Sequence, residues 1–488
     1  MPALAEALGD FDQAIALDPL NGFAWEHRGD VRLNWGNARQ ARGLDPGDLY
    51  RLAADDFLRA AGLDPGWFGS RSSLGLVLSN WCAWREEHGE DTEEMERDAL
   101  AAFAQAVELN PASAQTWELR GIAFMNRANR GRHRGVDPLP GYREAVGSFD
   151  RALALNAKSP TTWLYRAWMH AQCGTWESER GEDPEPSYGR ADADYAEAAK
   201  VNPGLAEIAL RRGSLRLNWG VHASNVGRDP EPHYVLAVGH LDRALAAHPA
   251  LAEGWRLRGG VYVNWAGVKA AQQEDAEPCF REAIASYGKS LELNPANAQA
   301  WVQRGMTRMN WALARQGRGE DPETTYGEAA ADFANALERN PQLADGWRWL
   351  GGLRINWADW RASQGGDGRE LIAQAIEALG KALEADPSSA ATWSIRGAAR
   401  LKLVEAEQKA GGDGAAADAA AREDFAQALA RNPRDADTYV RRGQAHHAMA
   451  RWAEALADWE RAAAIDPASV AAVAKLREEA ERKRGEGK

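Results

Sequence analysis

Eight side-chain amides recur in register along this 488-residue chain: Asn34, Asn80, Asn126, Gln172, Asn218, Asn264, Asn310 and Asn356. Successive members stand 46 residues apart. A carboxamide offers a donor and an acceptor together. A row of them can pair with the backbone of an extended peptide and place no demand on its side chains. The same row can also bond to itself or to loop carbonyls and hold a stack together. Both uses are compatible with the spacing. Tryptophan follows the amide at Trp35, Trp81, Trp219, Trp265, Trp311 and Trp357. Arginine stands three residues before it at Arg32, Arg216, Arg308 and Arg354, a helical spacing that allows guanidinium–indole stacking.

Other reactive residue types do not converge in the sequence. His446 and His447 are adjacent, so a helix points them to different faces and they make a poor metal pair. Cys82, Cys173 and Cys279 are far apart and odd in number, which suits a reducing compartment better than a disulfide framework. Glycines stand singly or in loop pairs, without the strand–loop–helix context of a phosphate loop. Aspartate recurs at Asp45, Asp91, Asp137, Asp183, Asp229, Asp275, Asp321, Asp367 and Asp413, often in acidic loops such as 181–186, GEDPEP. Calcium needs six or more converging oxygens, and these loops are short and fixed by proline. Aspartate as a helix N-cap, with proline next, is the better reading. No catalytic, cofactor-binding or metal-binding residue is therefore expected.

Apolar residues make up 45% of the chain and charged residues 26%, so it can form a core. The formal net charge of −13 argues against a general affinity for nucleic acid. The N-terminus lacks a basic segment followed by an apolar run, and no uninterrupted apolar stretch is long enough to span a membrane. A cytoplasmic location is expected.

The elements that must position these amides follow from a second series. Gly29, Gly75, Gly121, Ala167, Gly213, Gly259, Gly305, Gly351, Gly397 and Gly443 share the 46-residue step, and a proline series runs beside it from Pro19 to Pro433. Trp25, Trp117, Trp163, Trp255, Trp301, Trp347 and Trp393 lie four residues before the small residue, on one stripe of a helix. Truncating one of them is expected to cost about 3–5 kcal/mol, as for buried aromatics generally. Phe57, Phe103, Phe149, Tyr195, Tyr287, Phe333 and Phe425 fill the facing layer of a second helix. At 100° per residue the amide lies opposite the first tryptophan. The arginines directly before the small residue, Arg28 among them, are expected to pack their stems and bond between repeats.

The last unit reads Tyr439, Gly443, Ala455, Trp459, Ala462, Pro467 over 34 residues. It resembles the tetratricopeptide repeat, and the longer units look like the same repeat with 12 residues inserted between its helices. The resemblance implies an all-α fold, an α-solenoid or superhelix of antiparallel helix pairs. The expected organisation is an N-terminal half-repeat (second helix only) at 1–19, nine 46-residue extended repeats at 20–433, one 34-residue repeat at 434–467, and a capping helix and tail at 468–488. In proteins of this family the first helices line the concave surface, so the resemblance puts the amides in a groove. It implies a non-enzymatic scaffold binding a protein or peptide partner there, with neither nucleic acid nor membrane as partner. The alternative is a structural spacer or self-assembling module, possibly a fragment of a larger signalling protein, which contacts partners through its ends. A homo-oligomer would then form through the N-terminal half-repeat.

Overall fold

The computed structural model describes residues 2–409 and 415–486, and these form helices without a strand among them. The chain divides into two compact units, residues 1–248 and 249–488. The first unit opens with α1 (Pro2–Leu17). Five pairs follow: α2 (Gly22–Gln40) with α3 (Gly47–Leu63), α4 (Phe68–Glu87) with α5 (Glu93–Leu109), α6 (Ala114–His133) with α7 (Leu139–Leu155), α8 (Pro160–Glu179) with α9 (Glu185–Val201), and α10 (Ala206–Asn225) with α11 (Glu231–Ala247). The second unit holds α12 (Ala252–Ala271) with α13 (Glu277–Leu293), α14 (Ala298–Gly317) with α15 (Glu323–Arg339), α16 (Ala344–Ser363) with α17 (Arg369–Ala385), α18 (Ala390–Lys409) with α19 (Ala415–Arg431), and α20 (Ala436–Ala448) with α21 (Trp452–Ile465). A 3₁₀ turn (Pro467–Val473) leads into α22 (Ala474–Glu486).

Each pair closes on a small residue. A Cβ on Gly121 would meet Phe149 at 2.5 Å, and one on Gly75 would meet Phe103 at 2.8 Å. Glycine therefore lets the aromatic ring of the second helix lie directly on the backbone of the first. Nearer the other end of the pair, Gly36 and Gly220 receive Tyr50 and Tyr234 in the same way. Phe57, Phe103, Phe149 and Phe333 are buried, as are Tyr50, Tyr142, Tyr188 and Tyr326.

The loops between paired helices turn on glycine and aspartate. Gly43, Gly89, Gly135, Gly181, Gly227, Gly319 and Gly365 have φ between 69° and 77°, a region that penalises a side chain. Gln273 stands in the same place with φ 61°. The aspartates cap, but one residue earlier than the sequence suggests. Pro46, Pro138, Pro184, Pro230 and Pro322 occupy the N-cap position itself. Asp45 Oδ1 accepts from the amide two residues on, Gly47, at 2.7 Å, and Asp321 accepts likewise from Glu323 at 2.8 Å. Asp91, Asp137, Asp183, Asp229, Asp275 and Asp367 repeat the bond. Asp413 lies outside the described residues.

Within each unit the first helices form one row. Consecutive members (α2, α4, α6, α8, α10 in one unit and α12, α14, α16, α18, α20 in the other) contact each other, whereas consecutive second helices do not. The first helices are therefore the more closely spaced row.

Candidate functional site

The amides sit late on these first helices. In the first unit Asn34 and Asn218 are exposed, and Asn80, Asn126 and Gln172 are half-buried. In the second unit Asn264 and Asn310 are exposed and Asn356 is half-buried. Three of the eight are engaged. Asn80 Nδ2 donates to Asn37 Oδ1 of the preceding pair at 3.1 Å. Gln172 Oε1 accepts from Arg132 at 3.1 Å. Asn264 Nδ2 turns back onto Gly260 of its own helix at 2.8 Å. Among the described residues, no hydrogen bond joins one member of the series to another. None is recorded to the side chains of Asn34, Asn126, Asn218, Asn310 or Asn356.

The structural polar work falls instead on residues that the amide series does not include. Tyr50 shares its one hydroxyl proton between Asn37 Oδ1 at 2.8 Å and Gln40 Oε1 at 2.7 Å, while Tyr142 donates to Asn129 at 2.8 Å and Tyr326 to Gln316 at 3.1 Å. Burial raises the Tyr50 hydroxyl to about 12, so it stays a donor.

The aromatic residues behave differently from the expectation at two points. The first tryptophans are half-buried rather than core. Trp117 Nε1 donates to Pro111 O at 2.9 Å, and Trp25, Trp163, Trp255, Trp301, Trp347 and Trp393 bond the equivalent carbonyl. On six of these seven rings the arginine three residues later covers the ring, as with Arg28 4.6 Å from the Trp25 centroid and Arg304 4.7 Å from Trp301, whereas Trp347 is covered by Lys381 at 4.8 Å. Around the second tryptophan, only Arg216 of the four expected arginines stacks, 4.8 Å from Trp219. The cation over this ring elsewhere comes four residues later, as Arg85 on Trp81, Lys269 on Trp265, Arg315 on Trp311 and Arg361 on Trp357.

Arg32 and Arg308 are drawn away by buried carboxylates. Asp56 binds Arg28 at 2.6 Å and Arg32 at 2.5 Å, and Asp332 binds Arg304 at 2.7 Å and also Arg308. Asp194 and Asp424 hold Arg166 and Arg396, each at 2.7 Å. These bonds lie within a pair, from first to second helix. Arg28 and Arg166 also reach back to the preceding second helix, at Asp12 and Asp150, so the expected contact between repeats is real but secondary. Where the facing residue is Ser148, burial pulls the Arg120 guanidinium below its usual range.

Residues 419–470 match the tetratricopeptide repeat model. Those residues carry a tetratricopeptide repeat, and the helix pairs before them repeat its fold. Solved structures that match this chain share little sequence with it. YrrB, described as a TPR protein with an unusual peptide-binding site, is 19% identical and aligns over 49% of this chain and 92% of its own, with a TM-score of 0.30. Yeast Tom70 is 12% identical over 100% of this chain and 93% of its own, with a TM-score of 0.43. The APC/C hetero-tetramer Cut9–Hcn1 gives 13%, 93%, 96% and 0.36 for the same quantities. No curated protein matches the chain.

Within this array of helix pairs, other candidate chemistry is accounted for by packing. Cys82, Cys173 and Cys279 are buried and not in disulfides, and burial raises the Cys82 and Cys173 thiols to about 12. His446 and His447 face different acidic partners, Asp458 and Glu479. Among the described residues, no three His, Cys, Asp or Glu side chains converge as a metal-holding group. No described helix is long and apolar enough to cross a membrane.

Proposed function

We propose that the chain is a protein-interaction scaffold whose rows of first helices take an extended peptide. The observation that carries this reading is the set of uncommitted amides: Asn34, Asn126 and Asn218 in the first unit, Asn310 and Asn356 in the second. Each presents a donor and an acceptor with no recorded protein partner. The geometry suits an extended chain. Neighbouring helices pack about 8–10 Å apart, and an extended backbone advances about 3.3 Å per residue. Successive first helices then meet roughly every third residue of the ligand, and the free amides of the first unit, on alternate first helices, roughly every sixth. The same reading divides the chain into 46-residue repeats over 20–433 and a 34-residue repeat over 434–467. The three buried cysteines, none of them in a disulfide, favour a reducing, cytoplasmic setting.

The test is affinity for a peptide selected from a library of unstructured sequences. Changing Asn34, Asn126 and Asn218 together to Ala removes hydrogen bonds worth about 1 kcal/mol each and should weaken a first-unit ligand by at least about tenfold. Unchanged affinity in a folded variant rejects the assignment.

A second reading has one observation behind it. Leu17, Leu20 and Phe23 are exposed at 88%, 71% and 68%, an apolar patch on α1, α2 and their connection. Self-association through that patch would appear as a mass that rises with concentration and falls on changing Phe23 to Ser.

A further inference from the structure

Among the pairs whose first helix carries an arginine before its small residue, one sets neither a carboxylate nor a serine opposite it. Arg28, Arg166, Arg304 and Arg396 face Asp56, Asp194, Asp332 and Asp424. Arg120 and Arg258 face a serine and a glutamate, Ser148 with Glu144 and Ser286 with Glu282. In α10 and α11 the arginine is Arg212 and the facing residue is His240. Arg212 turns back to Asp192 of α9, with Nε and Nη2 at 2.6 and 3.0 Å from its carboxylate. Arg216 takes the same carboxylate at 2.6 Å. Arg243 Nη2 donates to His240 Nδ1 at 2.9 Å, which leaves the imidazole proton on Nε2. Arg216 Nε is buried without a partner.

The charges that act on His240 are Arg212, Arg243 and Arg216 against Asp192. Burial, with Arg212 and Arg243 behind it, lowers His240 to about 4, so it is neutral near pH 7. Asp192 thus takes two of the three guanidinium groups, and the third, Arg243, rests on His240 and on Gly239 O. Arg243 is exposed and Arg212 is partly exposed, so solvent reaches the cluster.

We propose that Arg212, Arg216 and Arg243, grouped around His240, bind a phosphate-class oxyanion that supplies the carboxylate this repeat lacks. Planar guanidinium forks match the paired oxygens of such an anion. A dianion neutralises the two positive charges that Asp192 leaves over. His240 Nε2–H adds a neutral donor.

The test titrates the full chain with inorganic phosphate against chloride at equal ionic strength. One phosphate should bind per chain. At ten times its Kd, the folding constant of the first unit should rise about tenfold. His240→Asp restores the carboxylate of the other repeats and should abolish the phosphate effect. Arg243→Gln alters an exposed side chain and should weaken phosphate binding by about tenfold or more with the helix content intact. If His240→Asp does not fold, Arg243→Gln decides alone. Phosphate that stabilises no better than chloride, or that binds both variants as it binds the unaltered chain, overturns the site. Competition by O-phosphoserine assigns a phosphorylated side chain as the source of the anion, and its failure to compete assigns the free ion.

Discussion

Asp194 shows how far one side chain governs its repeat. Its carboxylate is buried and holds Arg166 by two hydrogen bonds, at 2.7 and 2.8 Å. Removing it leaves Arg166 only its contact with Asp150, so Asp194→Ala should cost about 1–3 kcal/mol in chemical denaturation. The sequence contains its own control. Two repeats carry leucine in place of the arginine, Leu74 and Leu350, and both carry alanine opposite, Ala102 and Ala378. Replacing Arg166 by Leu together with Asp194 by Ala should therefore recover most of the loss. A double variant as unstable as the single one would show that the pair does more than satisfy itself. The pairing was legible in this covariation between repeats, 28 residues apart, and was missed because attention to single positions read the arginines alone. Gly121 makes the opposite point. Alanine there gains up to about 1 kcal/mol of helix propensity, yet its Cβ would meet Phe149 at 2.5 Å. Gly121→Ala should be net destabilising by about 1–2 kcal/mol, measured as a fall in the denaturation midpoint.

At the scale of the element, helix period, glycine register and Asp-Pro punctuation were enough to foresee pairs of long helices. They also placed the small residue under an aromatic ring. The finer placement was not legible. Proline takes the N-cap and aspartate caps from one residue outside it, because an Asx turn reaches the amide two residues on. The four candidate stacking arginines were misplaced for a similar reason. A buried aspartate on the facing helix outbids an indole, and that aspartate is visible only when two helices are laid together. The loop glycines give the element-scale prediction. Gln273 holds φ 61° where seven other loops use glycine. Gln273→Gly should relieve that strain and raise stability by about 1 kcal/mol. A lower thermal midpoint would mean that the Gln273 side chain contributes more than its backbone costs.

For the whole molecule, stability should be local, since each pair rests on its neighbours. Trp301 is half-buried, held by Pro295 O and covered by Arg304 and Arg339. Its replacement by alanine should cost about 2 kcal/mol, below the 3–5 kcal/mol of a fully buried aromatic. Amide exchange should quicken in α13 to α16 and stay unchanged in the first unit. Equal quickening across both units would contradict repeat-by-repeat stability. The place of the amides late on the first helices followed from the repeat register. Which of them are free did not, because Asn80, Gln172 and Asn264 find partners that depend on neighbouring loops and rotamers.

The central claim concerns those free amides, and their side-chain NH₂ resonances report on it directly. In a titration of the ¹⁵N-labelled chain with a bound peptide, Asn34, Asn126 and Asn218, or Asn310 and Asn356, should shift together in proportion to occupancy. Asn264, bonded to its own helix, should move less. Peptide binding that leaves all five free amides unmoved, while other surfaces shift, would contradict the account.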